Sequence, residues 1–227
     1  MRGASRLGAV CLPALLLQAC ATQGAPASLS GTAIRSGMVR GVAPMASWRE
    51  LRDRNVVRQA LDYSCGAAAL ATLMHFYFGD DVTEDAILVD TLRSMTAEEV
   101  RDREENGLSL LDLRLQAERM GYQAAAVRLD ATSLPALRGP IVVHLERADY
   151  RHFAVLRGVR GNRVYLADPS RGNVRLSVDR FVEEWSGAAL VLGKAGFGLP
   201  ESHPLAVDDQ PAVPNETQAA RQSLFAR

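Results

Sequence analysis

The hydrophobic pattern of this chain changes period once, and that change restricts the fold more than any other feature. Between Cys65 and Gly121 apolar residues recur at three- and four-residue steps, whereas from Tyr122 to Gly193 they come in short runs separated by turn residues. Leu70, Leu73, Met74, Tyr77 and Phe78 predict a mostly buried helix that opens at Cys65 and stops at Gly79. Thr83 to Val100 reads as one or two short polar helices. Ser109 and Asp112 form a capping-box-like start for a helix lined by Leu110, Leu113, Ala117 and Met120 and ended by Gly121. The strand-like runs are YQAAAVRL, PIVVHLE, HFAVLRGV, RVYLAD, VRLS and AALVLG, with an amphipathic VDRFVEEW before the last; Arg160-Gly161-Asn162 reads as a hairpin turn. Helices first and hairpin-linked strands afterwards predict an α+β domain, with N-terminal helices packed on an antiparallel sheet.

The flanks read differently. Arg2 and Arg6 precede an apolar run from Leu7 to Leu17, a secretory signal over residues 1–19 that is too short to span a bilayer. It ends in Leu-Gln-Ala-Cys, which resembles the lipobox of bacterial lipoproteins, and cleavage there would leave Cys20 to carry the lipid. Residues 20–46 are rich in Gly, Ala, Ser and Pro without a helical or strand period and read as a flexible tether. Residues 195–227, with their prolines and lack of sustained apolar pattern, read as a disordered tail, leaving residues 47–194 as the folded unit. The expected location is the bacterial cell envelope, lipid-anchored to the outer membrane and facing the periplasm; if Cys20 is not lipidated, the protein is a soluble periplasmic one. With 26 basic and 26 acidic side chains among 227 residues, there is no electrostatic footprint for nucleic acid.

Cysteine usage then isolates one residue. Cys11 leaves with the signal, Cys20 is consumed by the lipid, and Cys65 remains without a disulfide partner in an oxidising compartment. Its place at a helix start favours a reactive thiol, because the helix N-terminus stabilises a thiolate and offers free N–H groups to an oxyanion. A thiolate nucleophile needs a histidine and a group to orient it. His75 lies too far along the same helix, and His203 falls in the tail. His144 and His152 are both admissible on spacing alone. Asp168 favours His152: in a hairpin turning near Gly161 it comes roughly opposite that residue, at the distance of about 4.5 to 5.5 Å typical of cross-strand Cβ pairs or somewhat more if diagonal, whereas His144 would need another orienting group.

Together these residues resemble the peptidase C39 family, the papain-like cysteine peptidases that clip double-glycine leaders from secreted peptides. The family pattern is matched by Gln59, by Cys65-Gly66 opening a helix, by His152 on a strand and by Asp168-Pro169 after the next, and the likeness covers about residues 55–192. It implies a papain-like fold, Cys65 as nucleophile, His152 as general base and then acid, Asp168 as orienting acceptor and Gln59 as an oxyanion donor. It also implies a peptide or protein substrate cleaved after small residues of Gly-Gly type, with a secretion system as a candidate partner and no metal or cofactor. Ser64 stands where transporter-linked members usually carry Asp. No Gly-rich Lys-Ser/Thr loop is present, so ATP binding does not follow. Two rivals share the same residues: a cell-wall amidase or acyltransferase on this fold, and a non-catalytic peptide-binding module.

Overall fold

The computed structural model describes residues 31–36, 39–44, 46–147 and 150–207. The signal run, Cys20 and residues 208–227 lie outside the described residues. The chain divides at Met45 into two units. In the first, β1 (Gly31–Ser36) and β2 (Val39–Pro44) pair as an antiparallel hairpin with Gly31 opposite Pro44. Strands thus lie within residues 20–46, a segment whose sequence shows no strand period.

The second unit opens with a six-residue helix, α1 (Trp48–Asp53), capped by Ser47 and Glu50 in a reciprocal capping box. Four helices follow: α2 (Cys65–Phe76), α3 (Glu84–Arg93), α4 (Ala97–Asn106) and α5 (Leu110–Arg119). Thr83, Thr96 and Ser109 cap the last three by accepting a backbone N–H with their hydroxyls. Every residue of α2 from Cys65 to Met74 is buried, as expected of a helix apolar on all sides that runs between other elements.

The sheet consists of β3 (Gln123–Arg128), β4 (Ile141–Arg147), β5 (Tyr150–Arg160), β6 (Arg163–Asp168), β7 (Gly172–Ser177) and β8 (Trp185–Gly193), in the order β3-β8-β4-β5-β6-β7 with every pair antiparallel. Helix α6 (Val178–Glu184) precedes β8. Strand alternation divides the core into two layers. Val142, Phe153, Val155 and Ala167 join the helical side around α2, whereas Val143, Leu145, Ala154, Leu156 and Leu166 pack with Phe181 of α6 and with Trp185. The expected α+β architecture and the expected strands are all present.

The C-terminal boundary moves. Part of the segment read as a disordered tail is built into the domain: Leu205 is completely buried, Phe197 packs on Tyr77 and Phe78, and the Arg157 guanidinium donates to the carbonyls of Leu205 and Ala206. The segment is held by single anchors between prolines, so no hydrophobic period runs through it. Burying one leucine is worth about 1.5–3 kcal/mol, which together with the Phe197 packing and the Arg157 hydrogen bonds offsets part of the entropy of ordering the strap.

Candidate active site

Cys65 is the first residue of α2, and the glycine after it lets that helix start press into the core. A Cβ on Gly66 would lie 3.1 Å from Leu113 of α5 and 3.3 Å from Phe153 of β5. The thiol thereby reaches the end of the sheet that carries His152. Cys65 and His152 line one cleft of about 830 Å³ together with Gln59, Tyr63, His144 and Ser170.

His152 is almost fully buried, and its Nε2 lies 2.9 Å from Asp168 Oδ1. A carboxylate only accepts, so Nε2 carries the proton and Nδ1 is the nitrogen left for Cys65, which is hydrogen-bonded to the same ring. The pair is diagonal and not opposite as the turn arithmetic implied. A register shift between Leu156 and Gly158 puts Val155 across from Ala167, so Asp168 lies one step past the end of the ladder and reaches outward, away from the turn, to His152.

Asp168 is held from several sides. Oδ1 also accepts the Ser170 N–H and hydroxyl, each at 2.8 Å, and the Arg171 N–H at 2.9 Å, while Arg171 Nε donates to Oδ2 at 2.7 Å. Complete burial alone would raise its pKa, but the His152 hydrogen bond, the charge of that ring and Arg171 outweigh burial and keep it well below the usual carboxylate range. For His152 burial again opposes charge, and the hydrogen bonds to Asp168 and Cys65 prevail, raising the imidazolium to about 9. A buried anion thus sustains a cation beside a thiol.

Gln59 sits in the loop before α2. Its Nε2 donates to the carbonyl of Leu61 at 2.9 Å and, weakly, to that of Asp62 at 3.4 Å, while Oε1 is buried without a hydrogen-bond partner. An unpaired buried acceptor costs about 1–3 kcal/mol, so the amide is held here by its loop at the expense of stability. The loop is braced by residues that sequence reading did not single out for that task. Ser64, fully buried, donates to the Leu61 carbonyl at 2.8 Å and accepts the Leu61 N–H at 3.1 Å. The Glu84 carboxylate accepts the Ala60 N–H at 3.0 and 3.2 Å. Gln59 N–H donates to Pro169 O at 3.1 Å, joining this loop to the turn that holds Asp168. By sequence Glu84 is merely an acid in the first turn of a helix, and nothing local points to Ala60.

The other histidines are accounted for. His144, opposite Phe153 on β4, lines the cleft, but its Nδ1 lies 3.4 Å from Glu146 and 3.5 Å from the Ser186 hydroxyl, and burial lowers its pKa against the pull of Glu146. His75 Nδ1 contacts the Asp80 carbonyl at the far end of α2, and His203 packs edge-on against Tyr77.

Residues 53–196 match the model of the peptidase C39 family. The chain belongs to that family. This C39 peptidase is 36% identical over 165 residues to a probable functional amyloid protease, FapD, of Pseudomonas aeruginosa, covering 73% of this chain and 71% of that one. Its likeness to FapD of Pseudomonas fluorescens is 35% over 151 residues, 66% of each chain. It is 25% identical to the lactococcin-G-processing and transport ATP-binding protein LagD of Lactococcus lactis, over 60% of this chain but only 18% of that transporter. Among solved structures, a double-glycine-motif protease from an AMS/PCAT transporter in complex with leader peptide superposes with a TM-score of 0.51 at 26% identity, over 62% of this chain and 94% of that one. The peptidase domain of Streptococcus ComA gives a TM-score of 0.52 at 22% identity, over 61% and 97%. The papain-like fold and the peptidase class expected from the sequence both hold.

Proposed function

We propose that this C39 peptidase hydrolyses peptide bonds after small residues through a thioester on Cys65. The observation that carries the reading is the single imidazole hydrogen-bonded on one side to a buried carboxylate and on the other to the only thiol of the described residues. In this mechanism the Cys65 sulfur attacks the scissile carbonyl carbon and the carbonyl π electrons move onto oxygen. That oxyanion accepts from the Cys65 N–H, one of the unpaired donors at a helix start, and from Gln59 Nε2, whose weak contact to Asp62 is the bond it would replace. The His152 imidazolium donates its Nδ1 proton to the leaving amine. It then takes a proton from the water that opens the thioester. Asp168 holds the tautomer throughout and does not take up the proton.

The likeness to FapD supports an exported amyloid-type protein as substrate, and the likeness to double-glycine proteases supports Gly at the residues before the cut. The lipobox-like stretch ending at Cys20 supports anchoring to the envelope membrane, with the domain facing the periplasm and a secretion system as partner. The test incubates the secreted chain and its Cys65→Ala variant with peptides differing only in Gly-Gly or Leu-Leu before the cut, followed by mass spectrometry. Cleavage confined to the Gly-Gly peptide and to the wild type is expected; cleavage by Cys65→Ala refutes the assignment.

A further inference from the structure

The first helix presents the largest exposed aromatic surface among the described residues. Trp48 is 77% exposed and Leu51, one turn on and on the same side of α1, is 42% exposed. Exposed arginines border them. Arg49 and Arg54 come from α1 and its end, and Arg175 from the strand against which α1 packs; Arg171 nearby is spent on Asp168. The packing is direct: Asn173 donates its side-chain amide to the carbonyls of Leu51 and Arg54, so Arg175, two residues on along β7, emerges on the same side. Few acids offset these charges. Glu50 is bound to the Ser47 N–H, and Asp53 is bridged by Arg52 and Arg58.

We infer that this face is a docking surface for an anionic lipid headgroup layer. The inference rests on the proposed lipid anchor at Cys20. Tryptophan with arginine at the rim of an apolar spot is the composition that settles at a bilayer interface, where the indole sits at headgroup level and each basic side chain adds about 1 kcal/mol near an anionic surface. An acyl anchor at Cys20 would keep the chain at a bilayer surface. A protein partner would find the same residues, but only the lipid surface is supplied by the anchor itself.

The experiment uses the Cys20→Ser chain from residue 20 onward, which carries no acyl group, so its outcome does not depend on whether Cys20 is lipidated in the wild type. Co-sedimentation is measured with phosphatidylcholine vesicles with and without phosphatidylglycerol, alongside iodide quenching of tryptophan, where Trp185 is buried and quenching reads Trp48. Binding confined to the anionic vesicles and shielding of Trp48 are expected. Arg49→Gln with Arg54→Gln should weaken partitioning about 25-fold, since each arginine charge removed costs about fivefold, and leave cleavage of a soluble peptide unchanged. Equal binding to both vesicles, or binding unaffected by the double substitution, overturns the inference; binding to neither overturns it in favour of a protein partner. Failure of the anchor itself is read separately, as a wild-type protein that fractionates as soluble.

Discussion

Replacing Asp168 by Asn should uncouple the histidine from its unusual charge state. His152 titrates near 6.5 when unperturbed and at about 9 in this fold, a preference for the charged ring of about 3 kcal/mol at about 1.36 kcal/mol per pH unit. Burial works against that preference, so the attractive contributions of Asp168 and Cys65 together exceed it. Asparagine keeps an oxygen for the N–H groups of Ser170 and Arg171 and removes the charge. Cys65 alone then opposes burial, and the ring should titrate well below its wild-type value. The assay is a pH titration of ¹³C-labelled histidine by NMR, with the His152 signal identified by its loss in His152→Gln and with Cys65→Ala run alongside to separate the thiol's share. The sign follows from the direction of the shift: the imidazolium is present below its pKa and lost as pH rises through about 9, so the alkaline limb of kcat/KM should lie there in the wild type and move to lower pH in Asp168→Asn. A wild-type His152 that titrates near 6.5, or one that stays near 9 in Asp168→Asn, would refute the reasoning.

Ser64→Ala removes the two side-chain bonds to Leu61 and keeps the backbone one, and with a fully buried site it should cost about 1–3 kcal/mol in urea denaturation and lower kcat more than it raises KM, because the Gln59 amide loses part of its support. His144→Ala should leave kcat within a few-fold of wild type in the same peptide assay, since its ring partners are Glu146, Ser186 and Phe153; loss of turnover there with turnover kept in His152→Ala would exchange their roles. Leu205→Ala should lower stability by about 2–5 kcal/mol, measured by denaturant unfolding, because it opens a cavity under the C-terminal strap. An unchanged midpoint would mean that the strap is not part of the cooperative unit.

The strands of the sheet were legible because each combines a short apolar run with its own turn signal, as Gly161 at φ 52° does between β5 and β6. Cys65, His152 and Asp168 could be brought together because the last two lie on one hairpin, whose geometry spacing can express. Their diagonal offset could not, since it depends on a bulge that leaves no mark in composition. The Glu84 bond to Ala60 and the Leu205 anchor were equally hidden. Each is a single contact made across the fold, and a single contact has no period. The hairpin β1-β2 escaped for the opposite reason, because backbone pairing can be satisfied with few apolar side chains.

The helix seated against the Asp168 turn has a practical consequence for anyone isolating this domain. At Gly172, φ 85°, an added Cβ would lie 2.5 Å from the Arg52 carbonyl, so that turn and the backbone of α1 touch with no side chain between them. One of the two acceptors of Asn173, Leu51, and the Arg52 carbonyl lie before residue 53, and Leu205 lies after residue 196, whereas the family match begins at 53 and ends at 196. Homology limits and folding limits do not coincide. A fragment trimmed to the matched segment would keep Cys65, His152 and Asp168, yet lose most of the wedge behind the Asp168 turn and the anchor at Leu205, and its low activity would be mistaken for a property of the chemistry.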